Sequence, residues 1–85
     1  MASKIVQVVG DDWTELSAVE KGCFENQTPD TLLYWVAAAK PVAGFTKGHN
    51  LSQFADKGFQ INTSLSMKLY GRTLSAAGDV IVTEY

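Results

Sequence analysis

Every apolar run in this chain is short, and turn residues interrupt it at intervals of about 8 to 12 residues, the rhythm of an antiparallel sandwich or barrel. Lys4 to Val9 is rich in Ile and Val and stops at Gly10-Asp11-Asp12. Trp13 to Ala18 follows, with Trp13, Glu15 and Ser17 predicted on one face and Thr14, Leu16 and Ala18 on the other. Val19-Glu20-Lys21-Gly22 turns the chain into a strand over Cys23 to Gln27, which Thr28-Pro29-Asp30 ends. Leu65 to Leu74 alternates most clearly: Leu65, Met67 and Leu69 face one way, and Ser66, Lys68, Tyr70 and Arg72 the other. Gly71, on the leucine face, predicts a bulge or a close backbone approach. Val80 to Tyr85 is β-branched enough to sit inside a sheet rather than at its frayed edge.

Leu32 to Ala39 reads two ways. Asp30 as N-cap, the alanines and the following Pro41 favour a short buried helix. Tyr34, Trp35 and Val36, the length and the strand-like neighbours favour a strand, which is the preferred reading. Pro41 to Gly48 is expected to carry the chain from one sheet to the other. Leu51 to Lys57 is expected to form a helical turn ended by Gly58, with a strand over Phe59 to Asn62 after it. The expectation is one all-β domain over residues 1–85, a small antiparallel β-sandwich or barrel of six to seven short strands with one helical turn near 51–57.

Composition narrows the function classes. With 85 residues and one cysteine, Cys23, the chain has no internal disulfide to support a small core, so a partner subunit is the expected source of added stability. The formal net charge is −2, and the seven basic residues are scattered singly, which argues against a nucleic-acid partner. The longest apolar run, Leu32 to Ala39, is far short of the roughly 18 residues that a membrane helix needs. The first residues lack the pattern of a secretory signal, so the expected site of synthesis and residence is a reducing cytoplasm.

Catalytic patterns each lose to a plainer reading. Cys23 and the single histidine, His49, are the one nucleophile–base pair available, but a free cysteine is most often a small hydrophobe and His49 lies in a polar turn. Asp11, Asp12 and Glu15 lack the ligand count and glycine spacing of a calcium loop. Gly44 to Gly48 lacks the Gly-Lys-Ser/Thr ending of a phosphate loop. The expectation is a protein that is not an enzyme, with no cofactor and no metal. Trp13, Tyr34, Trp35 and Tyr70 offer large amphipathic surfaces for stacking on sugar or protein, with Trp35 the first choice for the core.

The order of several segments resembles the small all-β virion proteins of tailed bacteriophages, including head decoration proteins, head fibres and modules attached to necks and tails. The segments are Trp13-Thr-Glu-Leu-Ser-Ala18, Cys23-Phe-Glu-Asn-Gln27, the Pro41 loop, Gly48-His-Asn-Leu51, Gly58-Phe-Gln-Ile61, Leu69-Tyr-Gly-Arg72 and Gly78-Asp-Val-Ile-Val-Thr-Glu84. The chain differs in the longer turn at Val19-Glu20-Lys21 and in the small residue at Gly71. The resemblance implies a non-enzymatic virion structural protein, made in the bacterial host cytoplasm, that forms homo-oligomers, typically trimers, and attaches to other capsid or tail proteins. Lys68, Tyr70 and Arg72 are the expected interface, because Tyr and Arg are enriched at hot spots. The alternative is a lectin-like module that stacks a host-surface glycan on Trp13 or Tyr34. A third reading is an adaptor that caps a partner's sheet edge.

Overall fold

A computed structural model describes residues 2–85 and contains eight strands: β1 (Ala2–Val8), β2 (Thr14–Ser17), β3 (Lys21–Gln27), β4 (Leu32–Ala37), β5 (His49–Leu51), β6 (Asp56–Gln60), β7 (Lys68–Arg72) and β8 (Gly78–Glu84). They form two four-stranded sheets, ordered β1-β8-β3-β6 and β2-β7-β4-β5, with antiparallel pairing throughout. The pairs β1 with β8, β2 with β7, β3 with β6 and β4 with β5 join the first half of the chain to the second, as in one long hairpin rolled up on itself. This strand order is the jelly roll, in which two stacked sheets enclose one core. The sheets stay open, so the architecture is a sandwich and not a barrel.

The inward positions follow from the period of two. Gly22, Phe24 and Asn26 of β3 point inward, while Cys23 and Glu25 alternate outward. Val8, Leu16, Phe24, Leu32, Leu51, Leu69, Val80 and Val82 form the main core between the sheets. β8 lies between β1 and β3, the interior position its β-branched residues predicted. Gly71 is where side chains of the two neighbouring strands of the second sheet crowd the backbone: a Cβ there would stand 2.8 Å from Leu16 Cδ1 of β2 and 3.4 Å from Leu32 Cδ1 of β4. Gly71→Ala is expected to lower stability by about 1–2 kcal/mol through overpacking, read as a shift of the urea midpoint with an unchanged slope. The bulge lies in the neighbouring strand β2, whose register shifts between Glu15 and Ser17 so that Leu16 and Ser17 are both buried.

Leu32 to Ala37 is the strand that the sequence favoured, with paired neighbours on both sides supplying its backbone hydrogen bonds. Two expectations are corrected, together with the strand count, which is eight among the described residues and not six to seven. The segment near 51–57 holds no helical turn: Leu51 ends β5, a tight turn follows, and Asp56 opens β6, with Gly58 opposite Cys23 in mid-strand. Among the described residues the one helical turn is a 3-10 turn at Thr63–Leu65, where the Asn62 side chain caps the Ser64 amide. The Pro41 to Gly48 segment does not change sheets. It returns the chain from β4 to its neighbour β5 and lies over the outer face of the second sheet. β1 pairs along its whole length with β8 of its own chain.

Candidate functional site

The residues nominated from the sequence gather on the second sheet, yet most are covered. On its outer face Trp13, Leu33 and Tyr70 form a second apolar cluster, packed against Trp35, Ala37 and Phe45. Phe45 comes from the β4–β5 connection, and its ring lies 6.0 Å from that of Trp13 and 5.2 Å from that of Trp35. Arg72 holds this connection down. Its Nη1 donates to Ala43 O at 2.6 Å, its Nη2 to Gly10 O at 2.7 Å and its Nε to Thr73 O at 3.0 Å. The guanidinium also lies 5.8 Å from the centre of the Trp13 ring, whose Nε1 donates to Phe45 O. A second tie joins Lys40 Nζ to Asp12 Oδ2 at 2.7 Å.

Tyr70 and Arg72 are thus 4% and 3% exposed and do not form an open contact face, and Trp13, at 2%, is not a stacking platform. Alternation told which side of β7 they occupy; it carried no information about the distant loop that closes over that side. Lys68 stays partly exposed beside Glu15, 3.5 Å away. Tyr34 is half-buried at the other face, edge-on to Phe24 and beside His49. Trp35, expected in the core, is half-buried against Phe45 and His49 on the outside. The strand assignments separate Cys23, on the first sheet, from His49, on the second. Asp12 and Glu15 are each turned to a lysine of another element.

One end of the sandwich carries exposed apolar groups on a rigid base. The turns β3–β4, β5–β6 and β7–β8 meet there. Asn26, fully buried, donates from Nδ2 to Asp30 O and Leu51 O, and its Oδ1 accepts from the amide and hydroxyl of Thr28. Its backbone receives the Phe54 amide at 2.6 Å and donates to Ala55 O. The Ser75 hydroxyl donates to Asp30, joining two turns. On this base stand Phe54, 69% exposed with φ at +64°, and Leu74, 56% exposed beside a shallow pocket lined by Asp30, Thr31, Leu33, Asn50 and Ser52. A bulky aromatic residue held in the left-handed region with its ring in solvent costs about 1–3 kcal/mol, and such strain concentrates at functional sites. Sequence reading missed both residues. It assigned Phe54 to a helical turn beside Leu51, and the signal available was the Asn26, Thr28 and Asp30 cluster that builds the turns.

Three carboxylates that link separate elements are each held below their ordinary value. The Lys40 and Trp13 hydrogen bonds do this for Asp12, Ser75 and the Thr31 amide for Asp30, and Ser17 with Lys4 for Glu84. A lowered folded-state pKa contributes stability that is present above the unfolded value and is lost as pH falls through the folded one. The urea midpoint should therefore hold level from about pH 7 into the weakly acid range and then fall below the ordinary carboxylate range, with a smaller fall in Ser75→Ala. Comparisons with protein families, with curated proteins and with solved structures return no match for this chain.

Proposed function

We propose that the chain is a non-enzymatic attachment module of a bacteriophage particle, acting through protein–protein contact in the virion. The observation that carries this reading is the pair of exposed apolar side chains, Phe54 and Leu74, presented from one end of a jelly roll on turns fixed by a buried hydrogen-bond network. Aromatic anchors on a rigid frame lose little entropy on binding, which is what a contact hot spot requires. The eight-strand jelly roll is an architecture of viral capsid and lectin domains, an analogy of fold that supports the reading and leaves its weight on the two side chains.

The test is the protein content of particles from the phage that encodes the chain. Purified virions should contain it at a fixed copy number by mass spectrometry, and Phe54→Ser with Leu74→Ser should lower incorporation at least about tenfold while leaving the fold intact. Phe54→Gly separates binding from stability: relief of the left-handed strain should raise stability by about 1 kcal/mol, while loss of the ring lowers incorporation. Absence of the protein from purified virions, or full incorporation of the double variant, would overturn the proposal.

A further inference from the structure

Four strand edges border the two sheets, and three carry features that discourage pairing with another chain. β5 is only three residues long, and β2 is four residues long with a bulge. β6 opens with Asp56 and Lys57, both exposed, followed by Gly58. Short length, bulges and edge charges are the usual protections of a sheet border. β1 carries only the last of these, in the single charge of Lys4. It is seven residues long, pairs with β8 without a register shift, contains no proline, and among the described residues no strand lies against its outer side. Its one charged residue, Lys4, is turned to Glu84 of its own chain at 3.3 Å.

We infer that β1 pairs antiparallel with β1 of a second copy, forming a two-fold dimer in which the first sheets of both copies join into one continuous sheet. The occupant follows from the self-complementarity of the strand. Full overlap of Ala2–Val8 with itself places its midpoint, Ile5, on the two-fold axis, so Ile5 faces Ile5, Ser3 faces Gln7 and Lys4 faces Val6. No like charges oppose each other in this register. Ile5 is 68% exposed, and it already pairs with Ile81 within the chain. Dimerisation therefore extends the row to Ile81, Ile5, Ile5 and Ile81 across the seam, and cross-strand β-branched pairs are favourable contacts in a sheet. The remaining backbone N–H and C=O groups of β1 gain partners at the same step.

This inference adds to the proposed virion role a two-fold dimer in place of the trimer that the resemblance implies, and its test needs no virion. Sedimentation equilibrium across the micromolar range should give twice the 9.2 kDa chain mass. Ile5→Lys and Ile5→Glu each place like charges on the axis and should return a monomer with an unchanged circular dichroism spectrum, and an equal mixture of the two should restore the dimer mass. Ser3→Lys with Gln7→Lys should weaken association at least about tenfold, whereas Ser3→Lys with Gln7→Glu should keep it, which reads the register directly. A wild-type monomer, a three-chain mass, an open-ended assembly, or a dimer indifferent to Ile5 charge would each overturn the inference. Failure here leaves virion incorporation through Phe54 and Leu74 standing, and a dimer missing from virions overturns that role alone.

Discussion

Arg72→Ala should lower stability by about 3 kcal/mol, a large share of the roughly 4–13 kcal/mol expected for a domain of this size. The guanidinium is buried with no hydrogen-bonded carboxylate, so its charge is balanced chiefly by carbonyl dipoles, Gly10 from the β1–β2 turn, Ala43 and Phe45 from the β4–β5 connection and Thr73 beside it, with the Trp13 ring and the Asp12 carboxylate further off. Charge-assisted bonds of this kind contribute about 1.5–3 kcal/mol each, and truncation releases two loops at once. Arg72→Met keeps the stem against Trp13 but supplies no donor, and Arg72→Lys supplies a charge without the planar fork; both should recover less than half of the loss. The urea midpoint reads the energy. Trp13 emission should shift to the red as the connection lifts and water reaches the ring. A midpoint change worth less than about 0.5 kcal/mol would show that the connection is held by Phe45 and Lys40 instead.

The same residue shows where sequence reading stops. Alternation along Leu65 to Leu74 placed Leu65, Met67, Leu69 and Gly71 on one side and Ser66, Lys68, Tyr70 and Arg72 on the other; the division holds over Lys68–Arg72, whereas Leu65 lies exposed in the 3-10 turn and Leu74 exposed after the strand. Whether an outer face meets water depends on a segment some 30 residues away in the chain. Pro41 to Gly48 carries no periodic signal that would assign it to a surface. The strands of highest β-propensity, β1 and β8, were legible for the complementary reason: their signal is local, and their pairing satisfies it. Local signal misled at Leu51 to Lys57, where a Leu and a Phe three apart imitate a helical face. The backbone there is governed by Asn26, which captures the Phe54 amide and the Leu51 carbonyl from a strand far back in the chain. The exposed candidates Phe54 and Ile5 were invisible from composition, because what distinguishes them is the absence of a covering neighbour and not their own chemistry.

Asn26→Asp should be the most damaging isosteric change in the molecule, and its damage should depend on pH in the direction opposite to that of the wild type. All four hydrogen-bonding positions of the Asn26 carboxamide are used, two donated and two accepted, at zero exposure. Replacing the amide by a carboxylate turns the donor toward Asp30 O and Leu51 O into an acceptor, so buried oxygens face one another around an uncompensated charge. Asn26→Ala, which leaves those partners unmatched without adding charge, should cost about 3 kcal/mol; Asn26→Asp at neutral pH should cost about 4 kcal/mol or more. Burial raises the pKa of the introduced carboxyl, and a group whose folded pKa is raised loses stability as pH climbs above its unfolded value. Protonation lets the acid donate one hydrogen bond again. Relative to wild type at each pH, Asn26→Asp should therefore recover on acidification, while Asn26→Ala keeps a constant deficit. Urea midpoints of the three proteins at about pH 4 and about pH 7 decide it. Equal deficits for Asn26→Asp at both values would mean that water or a turn rearrangement reaches the carboxylate, and the turns under Phe54 would then be less rigid than a contact site built on them requires.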